Sequence, residues 1–479
     1  MAAQIEAEQI KADICIIGAG SGGLSVAAGA AQMGAKVVLV EKAAMGGDCL
    51  NTGCIPSKAL LAAAHRAASA RDMGRFGIDL PDPRVDFARV QDHLAGVIAG
   101  IAPHDSVERF EGLGVRVIQA AARFTGRDTV EAGGVCVRAR RFVIATGSAP
   151  FVPPVPGIRQ VPYLTNETVF ERRQTPEHLI VLGGGPIGIE MAQAHRRLGA
   201  RVSVIEMATI LPKDDPELVC VIRDRLKREG VDIYEGAHAT LVEGKVGKIS
   251  LTIDSRGAKE TITGSDLLVA AGRQANVEGL GLEVAGVDFA RKGIAVDRRL
   301  RTSNKKIYAI GDVIGGYQFT HVAGYHAGIV IRNALLRLPA KADMSVVPWV
   351  TYSDPELAHV GLSETEARAQ RSDIRVLRRR FDENDRARAE GESEGLIKVI
   401  TGKDGRILGA SIVGAGAGEL IAPWVLAMSQ GMKIGAMAGM IAPYPTRSEI
   451  SKHVAGSFYT EKLFSKGMHR LVRFLSIFG

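Results

Sequence analysis

Aromatic side chains are scarce, 24 of 479 residues, which ill suits the stacking platforms on which single-stranded nucleic acids are held. Cysteine is scarcer: five residues, an odd number, argue against an extracellular disulfide framework. No apolar run reaches the ~18 residues of a transmembrane helix. The opening residues Met1 to Ala12 are polar and acidic, unlike a signal peptide, so a cytoplasmic protein is expected. Neither charge sign dominates, with 60 Lys and Arg against 52 Asp and Glu. The resulting mild positive field favours small anionic ligands. Basic runs are short, as at Arg378-Arg379-Arg380, so no nucleic-acid partner is expected, and no residue set calls for a metal.

What the chain has in excess is glycine, 56 residues where roughly 7% of positions would be usual. Part of it is placed in a repeated pattern. The apolar run Asp13–Ile17 leads into Gly18-Ala-Gly20-Ser-Gly-Gly23, an alanine-rich helical stretch, then Lys36–Val40 and Glu41. This reads as strand, turn, helix and strand. Gly18 permits the tight turn, Gly20 lets a pyrophosphate approach the backbone, and Gly23 allows close helix–strand packing. The helix N-terminus receives the phosphate charge, and Glu41 accepts from a ribose. The pattern recurs at His178–Leu182, Gly183-Gly-Gly185-Pro-Ile-Gly188, a helix, Arg201–Ile205 and Glu206. In both copies the acid lies 23 residues after the first glycine. Two dinucleotide sites are expected. Glu206 pairs with a free 2′-hydroxyl and repels a 2′-phosphate, and Met207 beside it is not an arginine, so the second site favours NAD(H) over NADP(H).

Cys49 and Cys54 are five residues apart in Gly46-Gly-Asp-Cys-Leu-Asn-Thr-Gly-Cys-Ile-Pro-Ser-Lys58. A regular helix would hold their Cα atoms roughly 8–9 Å apart, whereas a disulfide wants less than about 7 Å. Bridging them needs a distorted helix start, which Gly53 can supply, and a distorted bridge is easier to reduce. Cys15 lies in the first strand and reads as core packing. Cys136 and Cys220 match no redox position.

That thirteen-residue string resembles the active-site signature of the FAD-dependent pyridine nucleotide–disulfide oxidoreductases, the family of dihydrolipoamide dehydrogenase, glutathione reductase and mercuric reductase. Further similar segments occur in the family's order: Ile144–Gly147, Gly183–Glu190, Val269–Arg273 and Ile307–Asp312. The resemblance implies an α/β fold with two Rossmann-like dinucleotide-binding domains and an α+β dimerisation domain. The FAD domain would span 1–152 and 275–345, the NAD domain 153–274, and the interface domain 346–479, with strands near Glu394–Ile400 and Ile407–Val413. FAD would be held at Gly18, Gly20, Gly23, Glu41, Lys42 and Gly47. Lys58, Thr146, Gly147, Asp312 and Thr320 would complete that site. NAD(H) would be held at Gly183, Gly185, Gly188, Glu206 and Gly272. Cys54 would be the charge-transfer thiolate, Cys49 the thiol that exchanges with substrate, and Lys58 with Glu190 an ion pair beside the flavin. A nearby ammonium favours both reduced flavin and thiolate.

Near the end, the family's thiol-handling members carry His-Pro-Thr-x-Ser-Glu; here it is Tyr444-Pro-Thr-Arg-Ser-Glu449. Tyrosine is a poor base at neutral pH and a serviceable proton donor. The expected enzyme passes electrons between NAD(H) and a small, lipoamide-like disulfide or dithiol through Cys49 and Cys54, in either direction, with the tyrosine favouring reductase over efficient dithiol oxidase. The tyrosine is similar to the mercuric reductase branch, so Hg(II) or another soft electrophile is the alternative substrate. That branch's paired-cysteine metal-binding domain and vicinal cysteine pair are not found in these residues. A second alternative is a flavoprotein partner or sensor that turns over no disulfide. Asp48 stands where many members have threonine. By resemblance the protein is a homodimer, pairing Cys49 and Cys54 of one chain with Tyr444 and Glu449 of the other. Finally, residues 461–479 set Lys462, Lys466, Arg470 and Arg473 at helical spacing among apolar residues. This basic amphipathic segment packs on its own protein or makes a weak membrane-surface contact.

Overall fold

The computed structural model describes residues 8–478. They divide into two compact units. One holds the residues up to Gly184 with Ala194–Met207 and Ala237–Asp343; the other holds Gly185–Gln193, Ala208–Gly236 and the residues from Met344 onward.

In the first unit, parallel strands Arg116–Gln119, Val37–Glu41, Glu8–Ile17 and Val135–Ile144 lie side by side in that order. Ile14, Cys15, Ile16 and Leu39 are fully buried, as continuous apolar runs must be in a sheet covered on both faces. The strand Val135–Ile144 changes character along its length. Val135, Val137 and Ala139 are buried in alternation with exposed Arg138 and Arg140, and this half pairs with the antiparallel strand Thr129–Ala132. Phe142, Val143 and Ile144 are all buried, and here Ile307–Ala309 joins in parallel. The chain thus returns to its first sheet after an excursion of more than 150 residues. A second parallel sheet orders Arg201–Glu206, His178–Leu182 and Asp266–Val269. An antiparallel meander, Ala237–Lys245, Lys248–Ser255 and Ala258–Gly264, belongs to the same unit.

Helix Ser21–Gln32 packs against helix Thr320–Ala334. Small residues allow the close approach: a Cβ on Gly22 would meet Ala323, and one on Gly29 would lie 2.6 Å from Ile331. Residue numbers rise together along both helices at these contacts, so the helices run parallel and their N-termini lie side by side.

The second unit is built on a five-stranded antiparallel sheet, ordered Pro348–Thr351, Glu356–Gly361, Ile407–Gly414, Leu396–Gly402, Ile374–Arg380. Trp424, Ile412, Ile397 and Phe381 are fully buried in its core. Lys398, 5% exposed, is held by three carboxylates, Asp215 at 2.7 Å, Glu217 at 3.0 Å and Glu364 at 2.7 Å. The expected α/β fold is the fold observed, and the strands anticipated near Glu394–Ile400 and Ile407–Val413 are present as Leu396–Gly402 and Ile407–Gly414. Among the described residues no helix is long and apolar enough to cross a membrane.

Candidate active site

The two glycine turns share one construction. The Gly18 amide donates to Val40 O at 2.8 Å, and the Gly183 amide to Ile205 O at 2.9 Å. Each first glycine has a positive φ, and a Cβ there would sit 2.4 Å from the carbonyl oxygen of Ala145 or Ala270. Each acid then bonds the amide after that glycine: Glu41 Oε2 accepts from Ala19 at 2.6 Å, and Glu206 Oε2 from Gly184 at 2.7 Å. The acids therefore lock the turns. A Cβ on Gly23 would fall 1.8 Å from the Gly18 carbonyl oxygen, whereas Gly185 has open space beside it. Gly188 is buried within helix Pro186–Arg197. Helix Ser21–Gln32 starts at Gly20 with no side-chain cap, leaving its first amides for an anion. Both turns fit a dinucleotide on backbone geometry alone.

The cysteine loop docks on the first turn. Gly46 N–H donates to Ala19 O at 3.0 Å, and a Cβ on Gly47 would lie 2.7 Å from Gly20 Cα. Cys49 sits in a short helix, Gly47–Asn51, and Cys54 opens the next, Cys54–Arg71. The break falls at Gly53, the residue expected to supply it, with φ −128° and ψ −110°. Both thiols are unbonded, and Cys54 Sγ lies 3.3 Å from Thr320 Oγ1. The hydrogen bond from Cys49 depresses Cys54 to about 6; Thr320 and the Lys58 ammonium act in the same sense, while burial and the Asp48 carboxylate oppose them. The same hydrogen bond pushes Cys49 up, with burial adding to it and Thr320 and Ser21 opposing. Ser21 and Thr320 stand at the adjacent helix N-termini, whose dipoles favour a thiolate. Both shifts favour keeping a shared proton on Cys49 and the negative charge on Cys54.

Behind the thiols runs a polar chain that sequence reasoning did not assemble. Asp48 Oδ1 accepts from the Thr52 hydroxyl at 2.7 Å and from Asn166 Nδ2 at 3.0 Å. Its Oδ2 pairs with Arg273 Nη2 at 2.9 Å. Arg273, 12% exposed, donates through Nε to Ser148 Oγ at 2.7 Å, and that hydroxyl donates to Asp312 Oδ2 at 2.6 Å. Burial raises the Asp312 carboxyl; Ser148 and Arg273 oppose, and Asp48 reinforces. Nearby, Thr146 Oγ1 donates to Asn276 O at 2.8 Å and Asn276 Nδ2 returns a bond to Thr146 O at 2.9 Å. Gly272 O accepts from Phe151 N–H at 2.9 Å. Lys42 is exposed beside Glu41. The signal available in the sequence was the acid at position 48, inside an otherwise uncharged stretch between the cysteines' flanking glycines and Lys58.

Glu190, Tyr444 and Glu449 lie in the second unit. Glu190 is buried and its Oε1 accepts from Tyr352 N–H at 3.0 Å. Tyr444 is 71% exposed and its hydroxyl donates to Asp385 Oδ2 at 3.1 Å. That bond raises its pKa above the usual tyrosine range, so it is a proton donor throughout the neutral range. Glu449 opens helix Glu449–Ser457 and accepts from Thr446 N–H at 3.4 Å.

Residues 12–327 match the family model described as pyridine nucleotide-disulphide oxidoreductase, and 347–455 match that family's dimerisation domain. The chain belongs to this family. Its members are FAD-dependent enzymes with NAD(P)H as electron donor, and this oxidoreductase is one of them. It is 34% identical to a mercuric reductase of Staphylococcus aureus over 449 residues, 93% of this chain and 82% of that protein. It is 37% identical to a dihydrolipoyl dehydrogenase of Thermus scotoductus over 475 residues, 96% of this chain and 99% of that one. Among solved structures it is similar to the HOCl-induced flavoprotein disulfide reductase RclA from Escherichia coli. That match has TM-score 0.83 and 29% identity, covering 93% of this chain and 99% of that chain; a Cu(II) complex of the same protein gives 0.84.

Proposed function

We propose that this oxidoreductase is an NADH-dependent reductase of a small disulfide, acting through Cys49 and Cys54 as a homodimer. The observation that carries the reading is the thiol pair across the Gly53 break, with Cys54 held as the anion and Cys49 as the proton carrier. Gly18, Gly20, Gly23, Glu41, Lys42 and Gly47 would hold FAD, with Thr146, Gly147, Asp312 and Thr320 beyond them. Gly183, Gly185, Gly188, Glu206 and Gly272 would hold NAD(H), Glu206 favouring a free 2′-hydroxyl. Bound FAD supplies the two-electron link between nicotinamide and cysteines. By the family resemblance, the charge of Lys58 would favour reduced flavin and the Cys54 thiolate.

In the proposed half-reaction, reduction opens the Cys49–Cys54 disulfide to a thiol and a thiolate. Cys49 attacks one sulfur of the substrate disulfide as its proton passes, by way of the partner subunit's Tyr444 hydroxyl, to the leaving sulfur, which departs as a thiol. Cys54 then attacks Cys49 Sγ, releasing the second substrate thiol and restoring the disulfide. The balance is one NADH, one proton and one disulfide giving NAD⁺ and two thiols.

Tyr444 also supports a second reading. A protonated, exposed phenol is no base for dithiol oxidation, and a soft metal electrophile held between thiolates needs none. Anaerobic NADH consumption with lipoamide, an Hg(II)–thiol complex and a Cu(II)–thiol complex, with Cys49→Ser as control, separates the two. Cysteine-dependent turnover of lipoamide supports disulfide reduction; turnover of the metal complexes alone replaces it with the metal reading. NADH use unaffected by Cys49→Ser would overturn both.

A further inference from the structure

The dimerisation domain of the family ends at residue 455, and the chain beyond residue 460 has a separate character. Helix Lys466–Leu475 is started by its own sequence, Ser465 Oγ accepting from Met468 N–H at 3.2 Å. At ~100° per residue, Lys466, His469, Arg470 and Arg473 fall within one arc, and Met468, Leu471, Val472 and Leu475 fall within the opposite one. No residue of the helix is buried. Leu471, Val472, Phe474 and Leu475, with Phe464 before and Phe478 after, are 47 to 74% exposed. From Lys462 onward the sequence contains Lys462, Lys466, Arg470 and Arg473 and no acidic residue.

We infer that residues 461–478 dock this enzyme on an anionic lipid surface, the apolar arc entering the headgroup boundary and the basic arc facing lipid phosphates and carboxylates. Two observations select this occupant. The face opposite the apolar arc is basic only, complementary to a negative surface. A nucleic acid would use the basic arc and leave the apolar arc in water. Phenylalanines flanking a leucine–valine face suit the boundary between hydrocarbon and headgroup. The segment is far too short to span a bilayer and would lie in its plane. The inference does not depend on which substrate the cysteines reduce.

The test is co-sedimentation of the full-length FAD-loaded enzyme with sucrose-loaded vesicles, either phosphatidylcholine alone or phosphatidylcholine with 30% phosphatidylglycerol, at low and high salt. Bound enzyme is read by protein and by NADH oxidation. Phosphatidylglycerol vesicles should take up at least tenfold more enzyme than phosphatidylcholine, and high salt should remove most of that difference. Lys466→Glu/Arg470→Glu/Arg473→Glu should abolish the preference, and Leu471→Ser/Leu475→Ser should reduce binding at least tenfold, both with flavin content and turnover unchanged. Equal sedimentation of full-length enzyme and a form ending at residue 460 would overturn the inference. So would a form ending at 460 that sediments in the ultracentrifuge as a monomer where the full chain is a dimer, with no vesicle binding by either; a second copy would then be what covers the helix.

Discussion

Asp48→Asn removes one negative charge from beside the cysteine pair while keeping a side chain of equal size. It acts in two ways. The first is on stability. Arg273 loses its carboxylate at 2.9 Å but keeps the Ser148 hydroxyl and carbonyl, with Asp312 Oδ2 at 3.9 Å. Breaking a fully buried pair costs about 3–5 kcal/mol; because Asp48 is 38% exposed, about 1–2 kcal/mol is expected here. The second effect is on Cys54, whose thiolate the Asp48 charge opposes. One partly screened charge is worth on the order of 1 kcal/mol, or ~0.7 pK unit. The Cys54 midpoint, about 6 in the native sequence, should therefore move down. The freed Arg273 charge pushes the same way. The assay is alkylation of Cys54 by iodoacetamide from pH 4 to 9, in a Cys49→Ser background that keeps a hydrogen-bond donor, read by mass spectrometry. Asp48→Thr should shift the midpoint in the same direction as asparagine. A midpoint that stays put or rises in the asparagine variant refutes the electrostatic reasoning. A shift with asparagine and none with threonine refutes charge as its cause.

Tyr444→Phe should lower reductase turnover at least tenfold at saturating NADH while leaving flavin content intact, whereas Tyr444→His should increase dithiol oxidation, measured as NAD⁺ reduction by dihydrolipoamide. Because the Asp385 bond raises Tyr444, the reductase rate should show no tyrosine ionisation below about pH 10. Gly23→Ala should yield protein without FAD absorbance, since the added Cβ would overlap the Gly18 carbonyl. Lys398→Met leaves Asp215, Glu217 and Glu364 without their shared cation and should cost about 2–4 kcal/mol in urea unfolding. Glu364, depressed to about 2 with Lys398 and Arg368 opposing its burial, contributes stability above the unfolded carboxylate value near 4.3 and loses it as pH falls toward 2. The native enzyme should weaken across that window, and Lys398→Met should flatten the dependence.

What was legible in the sequence is what short-range spacing dictates. A strand feeding a turn whose first glycine faces a carbonyl, with an acid at the end of the next strand, has one arrangement, and both copies adopt it down to the bond from acid to amide. Gly53 was readable for the same reason, because two cysteines five apart cannot be bridged across a regular helix. The chain from Asp48 through Arg273 and Ser148 to Asp312 was not readable. Its links join residues more than a hundred positions apart, and a side chain's partner across such a span depends on sheet order, which spacing does not encode. The segment after residue 460 shows the same boundary from the other side. Its amphipathic period is a local property, plain in the residues, whereas what covers its apolar face is a long-range one. With the chain folded, Leu471, Val472 and Leu475 remain in solvent. Packing on the chain's own surface is thereby removed, and the uniformly basic opposite face, which a second copy of the same helix would repel, is what favours an anionic lipid surface as proposed.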